Sequence, residues 1–401
     1  MTACALETAT GGPDSAARHP QCSIAADGSY AARLATDGES FYPERWTLGG
    51  PEPYAVPLPS ARTEEPGAAV QPLADGRVLI HRPEAESHAF ALLYPTGPGT
   101  GELPLGTVES AGLTLLPPTP QGHAAYALAV RAESTDLWLV AGGTRGPELV
   151  AEVPGRCSGG VWLDRAGRML ALDRESGGRT KTVTVDLQRG GEVSPFLQLT
   201  EESNDRLLLA DLDSGLLLLR SDAPSPGRER LGWGVLGSTL PVRFPACLRV
   251  PECTVTPIAV QPGQTLMPET AAVALRIEGP PAGRLGLWRP LDRTLHQLAP
   301  PQGWLTGAGL WTAEGVLRLP YVTNAVPCGV ARVPAPPWPA RAELPGPGVG
   351  AGRATGAAER QAPPPPDGDG PPAGGGRNGN KSPARPVPLR EAPLGPKETA
   401  R

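Results

Sequence analysis

Thr180-Lys181-Thr182-Val183-Thr184-Val185-Asp186-Leu187 alternates polar and apolar residues, with Val183, Val185 and Leu187 on one face and Thr182, Thr184 and Asp186 on the other. Strict alternation is the mark of a half-buried β-strand. Before it, Gly159-Gly160-Val161-Trp162-Leu163 and Met169-Leu170-Ala171-Leu172 are short apolar runs separated by the turn Asp164-Arg165-Ala166-Gly167. Gly177-Gly178 breaks the second run from the third, Arg189-Gly190-Gly191 turns again, and residues 192–199 can close a fourth strand. A few turn-forming residues between apolar runs mark hairpins. Residues 159–200 therefore predict one four-stranded meander.

The same pattern recurs over residues 22–58, 70–105, 112–153, 206–236, 254–298 and 310–333. Turn glycines carry the periodicity: Gly28, Gly76, Gly122, Gly167 and Gly215 are spaced 48, 46, 45 and 48 residues apart. The next, Gly315, follows after 100 residues, room for two units with an insertion at 240–252. A period in the forties with four strands per unit signals a β-propeller. The expected fold is all-β, with seven four-stranded blades; six is the alternative if the weakly patterned sixth unit is mostly loop. A lone blade would expose both apolar faces, whereas a ring leaves only short protected edges. The last unit lacks an outer strand, and the segment Ala3-Cys4-Ala5-Leu6-Glu7-Thr8-Ala9 is one way to supply it and latch the ring.

Three regions are expected: an N-terminal arm at 1–20, the propeller at 21–340, and a disordered Pro/Gly-rich tail at 341–401. From about Arg341 onward Pro363-Pro364-Pro365-Pro366 and Gly374-Gly375-Gly376 sit among Ala, Arg and Ser, with no alternating apolar runs. Such a segment buries too little apolar surface to offset its ordering entropy. In the chain as a whole 39% of residues are hydrophobic but only 4% aromatic, so Val, Leu and Ala must fill most of the core. A net charge of −5 argues against a general nucleic-acid binder, which shows a basic face. Residues 1–10 have neither a basic nor an apolar region of the kind a secretory signal needs, and no run approaches the roughly 18 apolar residues of a membrane helix. The expected compartment is the cytoplasm. The six cysteines, Cys4, Cys22, Cys157, Cys247, Cys253 and Cys328, are expected to be free buried thiols rather than a disulfide framework.

The units Ala26-Asp27-Gly28-Ser29-Tyr30-Ala31-Ala32, Ala74-Asp75-Gly76-Arg77-Val78-Leu79 and Leu163-Asp164-Arg165-Ala166-Gly167-Arg168-Met169-Leu170 resemble TolB-like (WD40-like) propeller repeats. They are also similar to repeats of the non-catalytic propeller of prolyl-oligopeptidase-type peptidases. The resemblance covers about residues 20–335. It implies a propeller that works through binding.

A peptidase of that kind needs a G-x-S-x-G elbow; the nearest match, Gly155-Arg156-Cys157-Ser158-Gly159, is followed by a strand rather than a helix and reads as an inter-blade connection. Lys181-Thr182 lacks the preceding glycine of a phosphate-binding loop. The spacing of Cys247 and Cys253 is poor for structural zinc. His19, His81, His88, His123 and His296 are read as surface or loop residues in different repeats. The candidate inner strands are almost devoid of hard metal donors. Asp164, Asp211 and Asp213 are accordingly read as turn residues bonding their own backbone. Trp46, Trp138, Trp162, Trp233 and Trp288 recur once per blade, mostly in third strands, and are expected in inter-blade packing. Pro-containing Ser382-Pro383-Ala384-Arg385-Pro386-Val387-Pro388 is read as a chance match to a docking strip.

No catalytic, cofactor-binding or metal-ligating residue is therefore assigned. The expected function is a non-catalytic protein-interaction or scaffold module with an unidentified protein partner, no nucleic acid, no membrane span and no cofactor. The alternatives are a propeller enzyme of the lactonase or sugar-hydrolase kind and a regulatory partner of a separately encoded hydrolase.

Overall fold

Each apolar run of the sequence becomes a strand, and each pairs antiparallel with the next, so strand order within every sheet is simply chain order. The computed structural model describes residues 22–336 apart from residues 39 and 281. The expected arm, its latch and the tail lie outside the described residues, as do Cys4 and His19. Seven such sheets form the seven blades of a propeller: residues 23–57, 69–109, 113–154, 156–197, 205–235, 254–298 and 310–334. Five have four strands. Blade 5 has three, with the two hydrogen bonds of a Trp233–Arg243 bridge standing where a fourth strand would lie. Blade 7 has three among the described residues.

The meander at 159–200 is blade 4, formed by Arg156–Trp162, Met169–Ser176, Arg179–Asp186 and Glu192–Leu197. Its third strand is buried on both faces rather than one. Val183 and Val185 are fully buried, and Thr182, Thr184 and Asp186 are buried as well. The reason is the ring: the polar face of one blade packs against the next blade. There Thr182 bonds the backbone of blade 5, while Asp186 pairs within its own blade with Arg168.

The turns between first and second strands all lie on one face of the ring and touch one another around it. They carry Gly28, Gly76, Gly122, Gly167, Gly215, Gly263 and Gly315, with φ between 64° and 85°. Gly263 is the turn glycine missing from the sequence reading. Pro262 precedes it, and residues 264–272 make an excursion before the second strand of blade 6, Val273–Glu278, so no Asp-Gly turn or prompt apolar run flags it. Arg45 donates to Gly76 O at 3.1 Å, Ala74 N to Gly122 O at 2.8 Å, Gly263 N to Asp213 Oδ2 at 3.0 Å, and Gln261 Nε2 to Ala313 O at 3.1 Å. Gly122 shows why glycine is needed: a Cβ there would lie 2.7 Å from Ala74 Cβ, and φ is +71°.

Blade 7 closes on blade 1 through a shared cluster in which Cys22, Ala31 and Trp46 pack with Leu305 and Ala308. Leu310 covers Gly28 so closely that a side chain there would clash. Similar clusters fill the other joints, for example Leu79, Phe90 and Leu92 of blade 2 against Leu113, Ala127 and Val140 of blade 3. Trp46, Trp233 and Trp288 are buried third-strand residues, Trp138 is a half-buried one, and Trp162 ends the first strand of blade 4.

Candidate functional site

The residues weighed for chemistry are spread around the ring and are occupied structurally. Gly155-Arg156-Cys157-Ser158-Gly159 runs into the first strand of blade 4 with no helix after it. Cys157 is buried, and burial pushes its thiol up to about 11, so it is a poor nucleophile. Lys181 Nζ sits 2.9 Å from the fully buried carboxylate of Asp205. Asp164 accepts from Arg168 N and Met169 N at 3.2 and 2.6 Å, and Asp211 from Ser214 N at 2.9 Å, both within their own turns. Asp213 differs from the turn reading. Its carboxylate leaves its own backbone and links three blades, pairing with Arg165 of blade 4 and accepting from Gly263 N of blade 6.

Two further expectations need correction. Cys22 and Cys157 are free and buried, but Cys247, Cys253 and Cys328 are free and only half-buried. His81 and His88 share a repeat and lie inside it. They are buried on neighbouring strands of blade 2, with His81 Nε2 and His88 Nδ1 2.8 Å apart and His81 stacked on Phe90. The hairpin register brings them together, and neighbouring blades cover both faces. Burial lowers the pKa of His88. His123 and His296 are exposed.

Among the described residues, no group of three or more His, Cys, Asp or Glu side chains could hold a metal ion. What the structure does assemble is an apolar surface on the turn face of blades 5 and 6. Leu236 and Leu240 belong to the turn after the third strand of blade 5, Leu266 and Met267 to the 264–272 excursion, and Leu291 to the turn after the third strand of blade 6. Antiparallel topology puts all three turns at the same end of the strands. Leu266 is 95% exposed, Leu240 61%, Met267 53% and Leu291 51%.

These side chains stand on braced backbone. Leu236 N donates to Gly215 O at 2.8 Å, and the Gly215 turn is tied through Asp213 to Gly263. Thr270 Oγ1 bonds Gln264 Oε1 at 3.1 Å and Met267 O at 2.8 Å. Leu291 N donates to Glu269 O at 3.0 Å, joining the two turns of blade 6. Five exposed apolar side chains thus stand at one end of two adjacent blades, on turns tied to their neighbours by hydrogen bonds. The sequence reading missed it. Its one signal was the insertion at 240–252 beside the unpatterned 264–272 segment.

No helix among the described residues is long and apolar enough to cross a membrane. No family model matches the sequence, and no curated protein matches it either. Solved structures do resemble the fold. An oligogalacturonate lyase from Vibrio parahaemolyticus matches with a TM-score of 0.51 at 12% identity, over 79% of this chain and 89% of that one. TolB from Acinetobacter baumannii matches with a TM-score of 0.38 at 11% identity, over 77% and 81%. Prolyl oligopeptidase B from Galerina marginata matches with a TM-score of 0.49 at 11% identity, over 78% of this chain and 48% of that longer one. The chain is a seven-bladed all-β propeller, and what it shares with the oligogalacturonate lyase is the fold.

Proposed function

We propose that this propeller is a non-catalytic protein-interaction module that engages a protein partner through the turn face of blades 5 and 6. One observation carries the reading: Leu236, Leu240, Leu266, Met267 and Leu291 are exposed together on hydrogen-bonded loops of two adjacent blades. Burying a large apolar side chain is worth about 1.5–3 kcal/mol. Association costs roughly 4–15 kcal/mol in lost freedom before any affinity shows. A single exposed leucine could not meet that cost, whereas five on one face can. Residues 341–401 act in this reading as a tether, and the five cysteines among the described residues, all free thiols, suit the reducing cytoplasm.

Affinity capture from the native cell tests the reading. The full chain, a chain ending at residue 340, and the triple variant Leu240→Glu, Leu266→Glu, Met267→Glu are compared by quantitative mass spectrometry. A partner retained by the first two and depleted at least tenfold by the triple variant supports the turn-face reading. A partner captured equally by all three places binding elsewhere. A stoichiometric divalent ion in the purified protein would favour the enzyme alternative.

A further inference from the structure

On the opposite face of blade 5, where its second and third strands turn, a cleft of about 320 Å³ opens between that hairpin and the connection to blade 6. Four arginines line it: Arg220, Arg228, Arg230 and Arg249. Glu229 is the only acid among the lining residues. This concentration of positive charge lies in a chain whose net charge is −5.

The fold fixes each arginine separately. Arg220 is the penultimate residue of the second strand of blade 5, Leu216–Ser221, and its Nη2 donates to Val255 O at 2.9 Å. Arg230 begins the third strand, Arg230–Val235, and its Nη2 donates to Phe244 O at 3.2 Å. Both are thus held by backbone carbonyls, which cancel no charge, and only Arg220 has an acidic partner. Glu229 reaches Arg220 only at 4.0 Å. Arg228 rides on the hairpin loop, which is shaped by the Asp222 carboxylate accepting from Asn204 N at 2.7 Å and Gly227 N at 3.3 Å. Arg249 follows the buried Leu248, which anchors the connection. The guanidinium groups of Arg228 and Arg249 have no ion-pair or hydrogen-bond partner among the described residues.

A second cleft shows that such crowding is not general to this face. Between blades 3 and 4, Arg156 and Arg174 line a cleft together with Glu133 and Glu175, so its charges balance. At the blade 5 cleft three arginines are left in excess. Like charges held together in a concave wall repel, and the potential they focus attracts a counter-anion. The planar guanidinium fork matches the oxygen geometry of phosphate and carboxylate. The volume lies at the small end of the roughly 300–1,000 Å³ range of small-molecule sites.

We propose that this cleft binds a small molecule carrying two or more oxyanion groups, either phosphates or carboxylates. The ligand spans from the fixed pair Arg220 and Arg230 to the exposed pair Arg228 and Arg249. The site is independent of the apolar surface, which lies at the other end of the strands.

Isothermal titration calorimetry on the full chain, at low ionic strength, tests this with two probes. Sodium pyrophosphate represents the phosphate source and sodium citrate the carboxylate source. The expected result is saturable one-to-one binding of at least one probe with Kd below about 1 mM. That binding weakens at least tenfold in the double variant Arg228→Gln, Arg249→Gln, and by less than threefold in Arg156→Gln. Both substituted positions of the double variant are exposed and unpaired, and circular dichroism checks that it stays folded. Which probe binds tells phosphate from carboxylate. The proposal is overturned if neither probe saturates below that concentration, if the double variant binds within tenfold of the parent, or if Arg156→Gln loses threefold or more.

Discussion

Thr135 and Thr182, one repeat apart on the third strands of blades 3 and 4, each accept a hydrogen bond from a backbone N–H of the first strand of the next blade. Thr135 Oγ1 donates to Gly155 O at 2.9 Å and accepts from Cys157 N at 2.8 Å. Thr182 Oγ1 lies 3.2 Å from Asp205 O and accepts from Leu207 N at 3.1 Å. Thr135 thus spans two residues at the entry of the next blade, whereas Thr182 gives its one proton to Asp173 Oδ1 and holds the incoming strand as an acceptor. A hydroxyl that donates and accepts at once can satisfy both groups of a strand that has no sheet partner on that side.

Replacing Thr135 by Val keeps the shape and removes the clamp, leaving the buried Cys157 N–H unpaired. An orphaned buried donor costs about 1–3 kcal/mol. Urea unfolding should show a loss of about 2 kcal/mol for Thr135→Val, with most of it restored in Thr135→Ser. Equal stability of the Val and Ser variants would show that the hydroxyl does not hold the joint.

Asp173 lies behind the second clamp. It is buried, accepts from Thr182 Oγ1 at 2.9 Å and from Leu207 N at 3.1 Å, and burial pushes its pKa up to about 6. The folded value is above the unfolded one of 3.8, so the protonated side chain favours folding below 3.8 and that advantage is lost as pH rises through about 6. Asp173→Asn keeps an acceptor and removes the ionisation. It should stabilise the protein at pH 7.5 by up to about 3 kcal/mol, at 1.36 kcal/mol per pKa unit, and the gain should shrink toward pH 4. A gain that does not change with pH would rule out ionisation as its source.

The buried histidine pair works in the opposite direction. Burial lowers the pKa of His88 from 6.5, so both folded and unfolded states are neutral above 6.5. Below that the unfolded chain takes up protons first, and stability falls until the pH passes the folded pKa. Melting temperatures of the parent and His88→Gln between pH 7.5 and 5 should diverge, with the parent falling more steeply. Parallel curves would show that His88 does not titrate on unfolding.

The architecture was legible because it is written in local signals. The alternation at Thr182–Leu187 and the turn glycines from Gly28 to Gly215 each need only a few neighbouring residues to be read. The sixth blade was weaker because Gly263 has Pro262 before it and a long excursion after it. The apolar face was not legible. Leu240, Leu266, Met267 and Leu291 are isolated leucines or methionine in unpatterned loops, and only the ring brings those loops to one face. The His81–His88 pair was hidden for a related reason: it depends on hairpin register and on burial by neighbouring blades. The arginine cleft likewise joins residues from a hairpin and from a connection that are separated along the chain.

The central claim is that the turn face of blades 5 and 6 meets a protein. In-cell photo-crosslinking tests it most directly, with a benzophenone amino acid placed at Leu266 and, in a separate chain, at Leu149, an exposed apolar residue on the outer strand of blade 3. The account predicts a discrete crosslinked protein from position 266 that is absent from position 149 and is lost when Leu240 and Met267 are changed to Glu. No crosslink from 266, or the same protein captured equally from 149, would contradict it.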